Sequence, residues 1–329
     1  MRLLVVFVFL LAFPAAGPAF AAPAAPPASG GEAASLAERL SGIERIMWER
    51  DARSIPGLRE LASKDADEKV RARALGALTL LRDAGAPMVY QERLSSDPSP
   101  RVRRAAADAI GTLGIPPDRF DRLYGPLQKD TDSMVRAECA RALGKLGSRA
   151  AIGILMFAGV IDPSPEVRSL AMEALSRLRA AEAEPVLTNS ARQDPSPMVR
   201  VQAVRALVEF APVSSLPLLR DLWKEAAEPE LRLEVYKGLL RAAEGSRWIE
   251  EGLQDADGSI RFSALRAWTA SLAAAPRGTR FARASTVIVR LEALLKDPAR
   301  GIREISRQAL EKFGYKVRPD GFAYSIDDR

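Results

Sequence analysis

From residue 65 to residue 310 the chain repeats one order of polar and apolar positions, so its columns can be written one beneath another. Each copy opens on a short polar stretch, clearest as Asp194-Pro195-Ser196-Pro197-Met198-Val199-Arg200, and passes into an apolar run through Leu207 and Phe210. The equivalent starts are Asp65, Asp97, Asp130, Asp162, Asp194, Ala226, Asp255 and Asp297, at steps of 32, 33, 32, 32, 32, 29 and 42 residues. Six residues after each start stands an arginine: Arg71, Arg103, Arg136, Arg168, Arg200, Arg232, Arg261 and Arg303. A β-branched residue or leucine precedes every one of them, from Val70 to Ile302. Thirteen residues after the start the column reads Leu78, Ile110, Leu143, Leu175, Leu207, Leu239, Trp268 and Leu310; the position before it holds Ala or Gly in all eight copies. Large and small apolar columns at helical spacing make one buried face, and the small residues let two helices approach closely.

The ends of that helix are written in the same register. Asp67, Ser99, Asp132, Ser164, Ser196 and Asp257 follow the start by two positions, where a short side-chain oxygen is expected to accept from the free N–H groups of the first helical turn. Pro100, Pro165 and Pro197 come next, at the first helical position, where the missing N–H costs nothing. Gly85, Gly114 and Gly147 stop the helix or open the following turn. A second apolar-periodic segment fills the rest of each unit, for example residues 150–161 or 216–223. A helical hairpin of about 32 residues cannot bury its own apolar face and must stack on its neighbours. The expected fold is all-α, an α-solenoid of eight hairpins.

Asp-Pro-Ser-Pro-x-Val-Arg opening the second helix of a hairpin, followed by Ala-x-x-Ala-Leu-x-x-Leu-Gly, resembles the HEAT repeat family, in particular the short HEAT-like repeats of phycobilisome lyases. The resemblance covers residues 53–314 and is closest in copies two to five; copy six lacks the Asp, and copy eight lacks the capping Ser. It implies a hydrogen-bonded ladder between adjacent repeats, here Asp97, Asp130, Asp162 and Asp194 with Arg103, Arg136, Arg168 and Arg200. It also implies that the second helices line a concave surface that receives a partner.

Outside the repeats, residues 1–21 read as a secretory signal peptide: Arg2, an apolar run over residues 3–13, and Ala19-Phe20-Ala21 before the cut. Residues 22–33 are an Ala/Pro/Gly-rich linker expected to be disordered. Residues 34–48 read as a capping helix with Leu36, Leu40, Ile43 and Ile46 on one face, so the solenoid with its cap spans 34–314; residues 315–329 leave the pattern as a tail that folds over the last helix. The expected destination is the periplasm or the exterior. Residues 150–161, almost wholly apolar, read as a central helix packed on both sides, because they are too few to span a bilayer. The 42-residue step places an insertion at residues 275–283, a basic loop whose Arg277, Arg280 and Arg283 are candidate partner contacts.

Composition narrows the chemistry. The formal charge of +6 is spread along the chain, where nucleic-acid binders gather basic residues in a stripe, so no nucleic-acid partner is expected. The sequence has no histidine, the commonest general acid–base and metal ligand. Its single cysteine, Cys139, falls in a column otherwise rich in alanine and reads as a packing residue. Phosphate loops, nucleophile elbows and zinc-binding helices are absent from the sequence. Asp255, Asp257 and Ser259 look like a calcium-loop fragment but coincide with a repeat start and its cap, and Glu250 and Glu251 read as solvated. No catalytic residue, cofactor or metal ligand is assigned, and a non-enzymatic protein is expected.

Eleven residues after each start the column reads Gly76, Asp108, Arg141, Glu173, Arg205, Lys237, Arg266 and Gln308, mostly basic from Arg141 onward. If it points inward, Arg141, Arg205, Lys237 and Arg266 would meet a protein or peptide with an acidic surface. The alternatives are neutralisation by Glu138, Glu173 and Glu234 at i,i+3 or i,i+4, an acidic envelope polymer in place of a protein, and the lyase-like enzyme that the resemblance invites. Tyr236 and Trp268 fall in apolar columns and read as core.

Overall fold

The computed structural model describes residues 34–115, 121–241, 245–274, 284–312, 315–318 and 323–325. The segments expected to be a signal peptide (1–21), a linker (22–33) and a basic loop (275–283) lie outside the described residues.

Helix α1, Leu36–Glu49, is followed by α2 and α3, Ile55–Lys64 and Glu68–Leu80. The hairpins then continue as α4 and α5 (Pro87–Ser96, Pro100–Leu113), α6 and α7 (Asp121–Lys129, Ser133–Leu146), and α8 and α9 (Ile152–Ile161, Pro165–Arg177). Next come α10 and α11 (Glu184–Gln193, Pro197–Phe210), α12 and α13 (Leu216–Glu225, Pro229–Arg241), α14 and α15 (Gly245–Leu253, Gly258–Ala274), and α16 and α17 (Ala284–Leu294, Arg300–Lys312). Strands β1, Tyr315–Val317, and β2, Ala323–Ser325, pair antiparallel. Tyr315 and Val317 pack against the last core cluster, which runs from Leu265 to Leu310; the main core runs from Ile43 to Ala264.

From α3 to α13 successive second helices touch along much of their length, whereas successive first helices meet at few points; between α13 and α15 the contact thins. The small columns explain this. A Cβ built on Gly111 would lie 2.7 Å from Ala142 Cα, and one on Gly144 would lie 2.8 Å from Ala174 Cα, so glycine there lets the two backbones close up. Tight packing on one side and looser packing on the other bends the stack toward the second helices, which therefore form its inner face.

Helix α1 belongs to the same scheme. Counting back one 32-residue step from Asp65, Ser35 takes the capping position and Arg39 the arginine position. Ser35 and Glu38 form a reciprocal capping box, Arg39 Nε lies 3.0 Å from Asp65 Oδ2, and α1 packs on α3. The capping helix is built as the second helix of one more unit.

Four expectations change. Helix α8 is not packed on both sides: as a first helix it lies in the outer layer, and Phe157, Val160 and Ile161 are 52, 48 and 55% exposed. Ser99, Ser164 and Ser196 occupy cap positions without a side-chain capping bond; of the six residues expected to cap, Asp67, Asp132 and Asp257 make one. At Ser99 and Ser196 the third-residue N–H groups of Val102 and Val199 donate to the main-chain carbonyls instead. Gly114 and Gly147 end helices at φ +63° and +71°, but the helix before Gly85 turns at Arg82, φ 59°. Finally, α15 runs for 17 residues where the other second helices have 13 or 14, so some of the extra length before copy eight is taken up by the helix ahead of residue 275.

Candidate functional site

The recurring charges sit at the turns between first and second helices and link neighbouring copies. Arg103 donates from Nε and Nη2 to the two carboxylate oxygens of Asp130, both at 2.7 Å; Arg136 does so to Asp162 at 2.7 and 2.9 Å, and Arg168 to Asp194 at 2.8 and 2.8 Å. Nη1 of each arginine donates back to the main-chain carbonyl that starts its own copy, as Arg136 does to Asp130 O at 2.8 Å. Each aspartate also accepts the N–H two residues on, for example Asp132 N to Asp130 Oδ1 at 2.9 Å. Burial alone would raise the carboxyls of Asp97 and Asp130, but bonds from Arg71 and Arg103 outweigh it and hold both below the usual carboxylate range. Arg200, whose expected partner position holds Ala226, pairs with Glu228 instead. These groups satisfy one another along the stack.

The inner face divides in two. In copies two to four three cations of this face are matched, Lys145 with Asp108 at 2.8 Å, Arg141 with Glu138 at 2.5 Å, and Arg177 with Glu173 at 2.8 Å, while Arg104, one turn before Asp108, is exposed and has no carboxylate partner among the described residues. Burial pushes the Glu138 carboxyl above its ordinary value despite Arg141. From copy five onward the balance shifts. Arg205 Nη2 and Lys237 Nζ share one oxygen of Glu234, at 3.0 and 2.8 Å. Burial would raise that carboxyl, but the two cations outweigh it and hold it low. Arg241 and Arg266 are exposed and have no carboxylate partner among the described residues. Arg205, Lys237, Arg241 and Arg266, with Glu209 and Glu234, line an open groove of about 660 Å³ over α11, α13 and α15.

The structure therefore brings Arg205, Lys237 and Arg266 together and leaves Arg141 in a separate, neutralised pair. Arg277, Arg280 and Arg283 lie outside the described residues. Arg241, which the sequence reading did not single out, lies one turn beyond Lys237 on the same face; a second column at i+4 would have found it.

Other candidates resolve into packing. Trp223, Tyr236 and Trp248 form one buried cluster, with ring centroids 5.4 Å apart for Trp223 and Tyr236 and 6.2 Å apart for Trp223 and Trp248. Tyr236 donates its hydroxyl to Trp248 O at 2.9 Å, and the Arg232 guanidinium lies 4.0 Å over Trp223 while pairing with Asp255. Glu251 is not merely solvated: it accepts Trp223 Nε1–H at 2.7 Å, and Glu250 pairs with Arg290 at 3.3 Å. Trp268 is half-buried against the last cluster. Cys139 is buried, and burial pushes its thiol well above the range of a reactive thiolate. Asp257 caps α15 by accepting from Ser259 N. Among the described residues no group of three or more His, Cys, Asp or Glu side chains could hold a metal ion, and no helix is long and apolar enough to cross a membrane.

Stacked helical hairpins tied by arginine–carboxylate rungs define an α-solenoid repeat protein. The HEAT repeats profile matches residues 55–144, 91–158 and 157–240, more than half of the sequence, and the chain belongs to the HEAT repeat family. A HEAT repeat-containing taxis protein of Halobacterium salinarum is 38% identical over 113 residues, 29% of this chain and 27% of that protein. The chain thus matches about a quarter of the length of that relative. Among solved structures, a Kap121p mutant is 14% identical with a TM-score of 0.54, covering 84% of this chain and 35% of its own. The complex of CpcE and CpcF of phycocyanin lyase from Nostoc sp. PCC7120 is 19% identical with a TM-score of 0.44, covering 71% and 90%. The likeness to Kap121p is one of fold.

Proposed function

We propose that this protein is an exported, non-catalytic scaffold or adaptor that binds a protein or peptide partner on the inner face of the solenoid. The observation that carries the reading is the change in charge balance along that face. In copies two to four every cation of this face but Arg104 has a carboxylate partner, whereas the groove of copies five to seven sets four cations against two carboxylates. An open groove with surplus positive charge suits an acidic segment, and an extended solenoid surface suits a peptide or protein better than a small molecule. The non-catalytic part rests on a sequence without histidine and on a cysteine buried in the core. The exported part rests on the Arg2, apolar run and Ala19-Phe20-Ala21 pattern.

Cross-linking in intact cells, with the wild-type chain and a triple variant Arg205→Glu, Lys237→Glu, Arg266→Glu, tests the binding. Loss of the cross-linked protein from the triple variant, with the helical circular dichroism retained, is the expected result. Equal capture by both chains overturns it, and capture of anionic polysaccharide in place of protein assigns the groove to an envelope polymer. Fractionation of the same cells checks export, which predicts a mature chain beginning near Ala22 outside the cytoplasm.

A further inference from the structure

A second hollow of about 600 Å³ adjoins the basic groove and shares Lys237, Ser263 and Arg266 with it. Its apolar lining is Leu233 and Phe262, half-buried, and Ile302, buried; Asp257, which caps α15, also lines it. The repeat register shows why it opens here. Four residues after the start, on the first turn of the second helix, copies one to six carry Lys69, Arg101, Met134, Glu166, Met198 and Glu230, all long side chains. Copies seven and eight carry Ser259 and Gly301. A Cβ on Gly301 would lie 3.1 Å from Phe262 Cε2, so the aromatic ring fills the space that a side chain would take in other copies.

The two helices that flank this continuous groove place their residues in the same order. On α13, Leu233 is followed one turn later by Lys237 and two turns later by Arg241; on α15, Phe262 is followed one turn later by Arg266. One helical turn advances about 5.4 Å. An extended peptide repeats its side-chain direction every second residue, about 6.6 Å along the chain. The apolar seat and the cations are therefore spaced for alternate residues of one extended strand.

We propose that the groove takes an extended acidic peptide in which a large apolar side chain, seated on Phe262 and Leu233, is spaced by one residue from the first of two alternating carboxylates that meet Arg266, Lys237 and Arg241. This inference rests on the partner-binding reading above and adds the order and spacing of the two chemistries. Across the two hollows four cations stand against three carboxylates, Glu209, Glu234 and Asp257, and that surplus favours an acidic peptide. The apolar floor distinguishes a peptide from a polyanion, which would use the cations and leave Phe262 and Leu233 uncovered.

Fluorescence anisotropy of the full chain with short labelled peptides tests it. The probes are Phe-Gly-Asp-Gly-Asp, its reverse, a form with alanine for phenylalanine, a form with asparagine for aspartate, and a form with six glycines between the phenylalanine and the first aspartate. The better of the two orientations should bind about tenfold more tightly than the alanine and long-spacer forms, a difference in keeping with burial of one aromatic side chain. The asparagine form should not bind. Ser259→Met restores the residue type of copies three and five on an exposed position, and should remove the gain from phenylalanine while leaving the charge-dependent binding. Arg266→Glu should abolish both.

Equal binding of the phenylalanine, alanine and long-spacer peptides overturns the inference, as does polyglutamate binding as tightly as the phenylalanine peptide, or Ser259→Met without effect. In each case the wider reading stands if the triple charge variant still releases the cross-linked partner, and falls with the inference if it does not.

Discussion

Arg71 and Asp97 meet as a two-bond pair, with Nε 2.8 Å from Oδ2 and Nη2 2.8 Å from Oδ1, in a site where the arginine is 8% and the aspartate 2% exposed. Arg71 Nη1 also donates to Asp65 O and Ala66 O at 2.9 and 3.0 Å, and Asp97 accepts Ser99 N at 3.0 Å, so the pair ties the turns of copies one and two. Removing one partner strands a buried charge. Asp97→Ala should cost about 3–5 kcal/mol. Arg71→Met combined with Asp97→Leu should cost less than Asp97→Ala alone, because the buried Arg71 charge goes with its partner and only the more exposed Arg93, which keeps its bond to Ser63 O, loses a carboxylate. Disrupting the exposed Lys64–Glu60 pair should leave the urea midpoint where it is, because solvent screens it. Chemical denaturation followed by circular dichroism ranks the three, and a mild Asp97→Ala would show that the rungs do not hold the stack.

The same rungs set the response to acid. Burial would raise the carboxyls of Asp97, Asp130 and Asp255, but bonds from Arg71, Arg103 and Arg232 keep them below the ordinary value; Asp297 is held down chiefly by Arg261. An unfolded aspartate titrates near about 3.9. Below that point the unfolded chain takes up more protons than the folded one, so the stabilisation is complete above it and is lost as pH falls through the lower folded values. The urea midpoint should be flat from about pH 7 to 5 with respect to these groups and fall steeply below about 4. Glu138 works the other way: its carboxyl is raised by burial, so its contribution is present at low pH and lost as pH rises through its folded value. Glu138→Gln should raise the midpoint at pH 7 and leave it unchanged at pH 3.

At the joint between copies five and six the packing columns exchange sizes. Where copies two and three present Gly111 and Gly144 to an alanine of the next helix, copy five presents Val208 to Gly238. A Cβ on Gly238 would lie 2.5 Å from Val208 Cγ2 and 2.9 Å from Leu219 Cδ1. Alanine is the better helix former by about 1 kcal/mol, yet Gly238→Ala should destabilise, because overpacking costs about 1–3 kcal/mol. Adding Val208→Gly, which recreates the arrangement of the earlier copies, should recover much of that loss. A double-mutant cycle by urea denaturation measures the coupling, and additive effects would mean that the two positions do not touch.

The solenoid was legible because each turn of the stack must solve the same problem with the same residues. Val70, Arg71, Ala77 and Leu78 recur in kind eight times, and one misplaced copy does not hide the column. Where a copy departs from the pattern, the sequence said less. Ala226 removes the carboxylate that Arg200 needs, and Glu228, two residues on with a longer side chain, replaces it from a position outside the column. The serines at cap positions looked like Asp132, but hydroxyl and carboxylate compete differently with the main chain, and at Ser99 and Ser196 the carbonyl takes the N–H. Half of the candidate groove was visible as a basic column. The apolar hollow was not, because it arises from what is missing at Ser259 and Gly301, and a short residue marks a cavity only once its neighbours are placed.

Helix α8 escaped the sequence for a related reason: periodicity finds a buried face by contrast with a polar one, and Ile152–Ile161 contains no polar side chain to supply the contrast. Leu155 faces α9 and is fully buried, whereas Phe157 and Ile161 point outward and are more than half exposed. Leu155→Ala should therefore cost about 2–5 kcal/mol by opening a cavity. Phe157→Ser and Ile161→Lys should each stay within about 0.5 kcal/mol of the parent, as surface substitutions do. They should also raise the concentration at which the protein stays monodisperse, since they break up an exposed apolar patch. Light scattering and urea denaturation on the three variants separate the effects. If Phe157→Ser destabilised as much as Leu155→Ala, α8 would have to be packed on both faces and the assignment of first helices to the outer layer would fail.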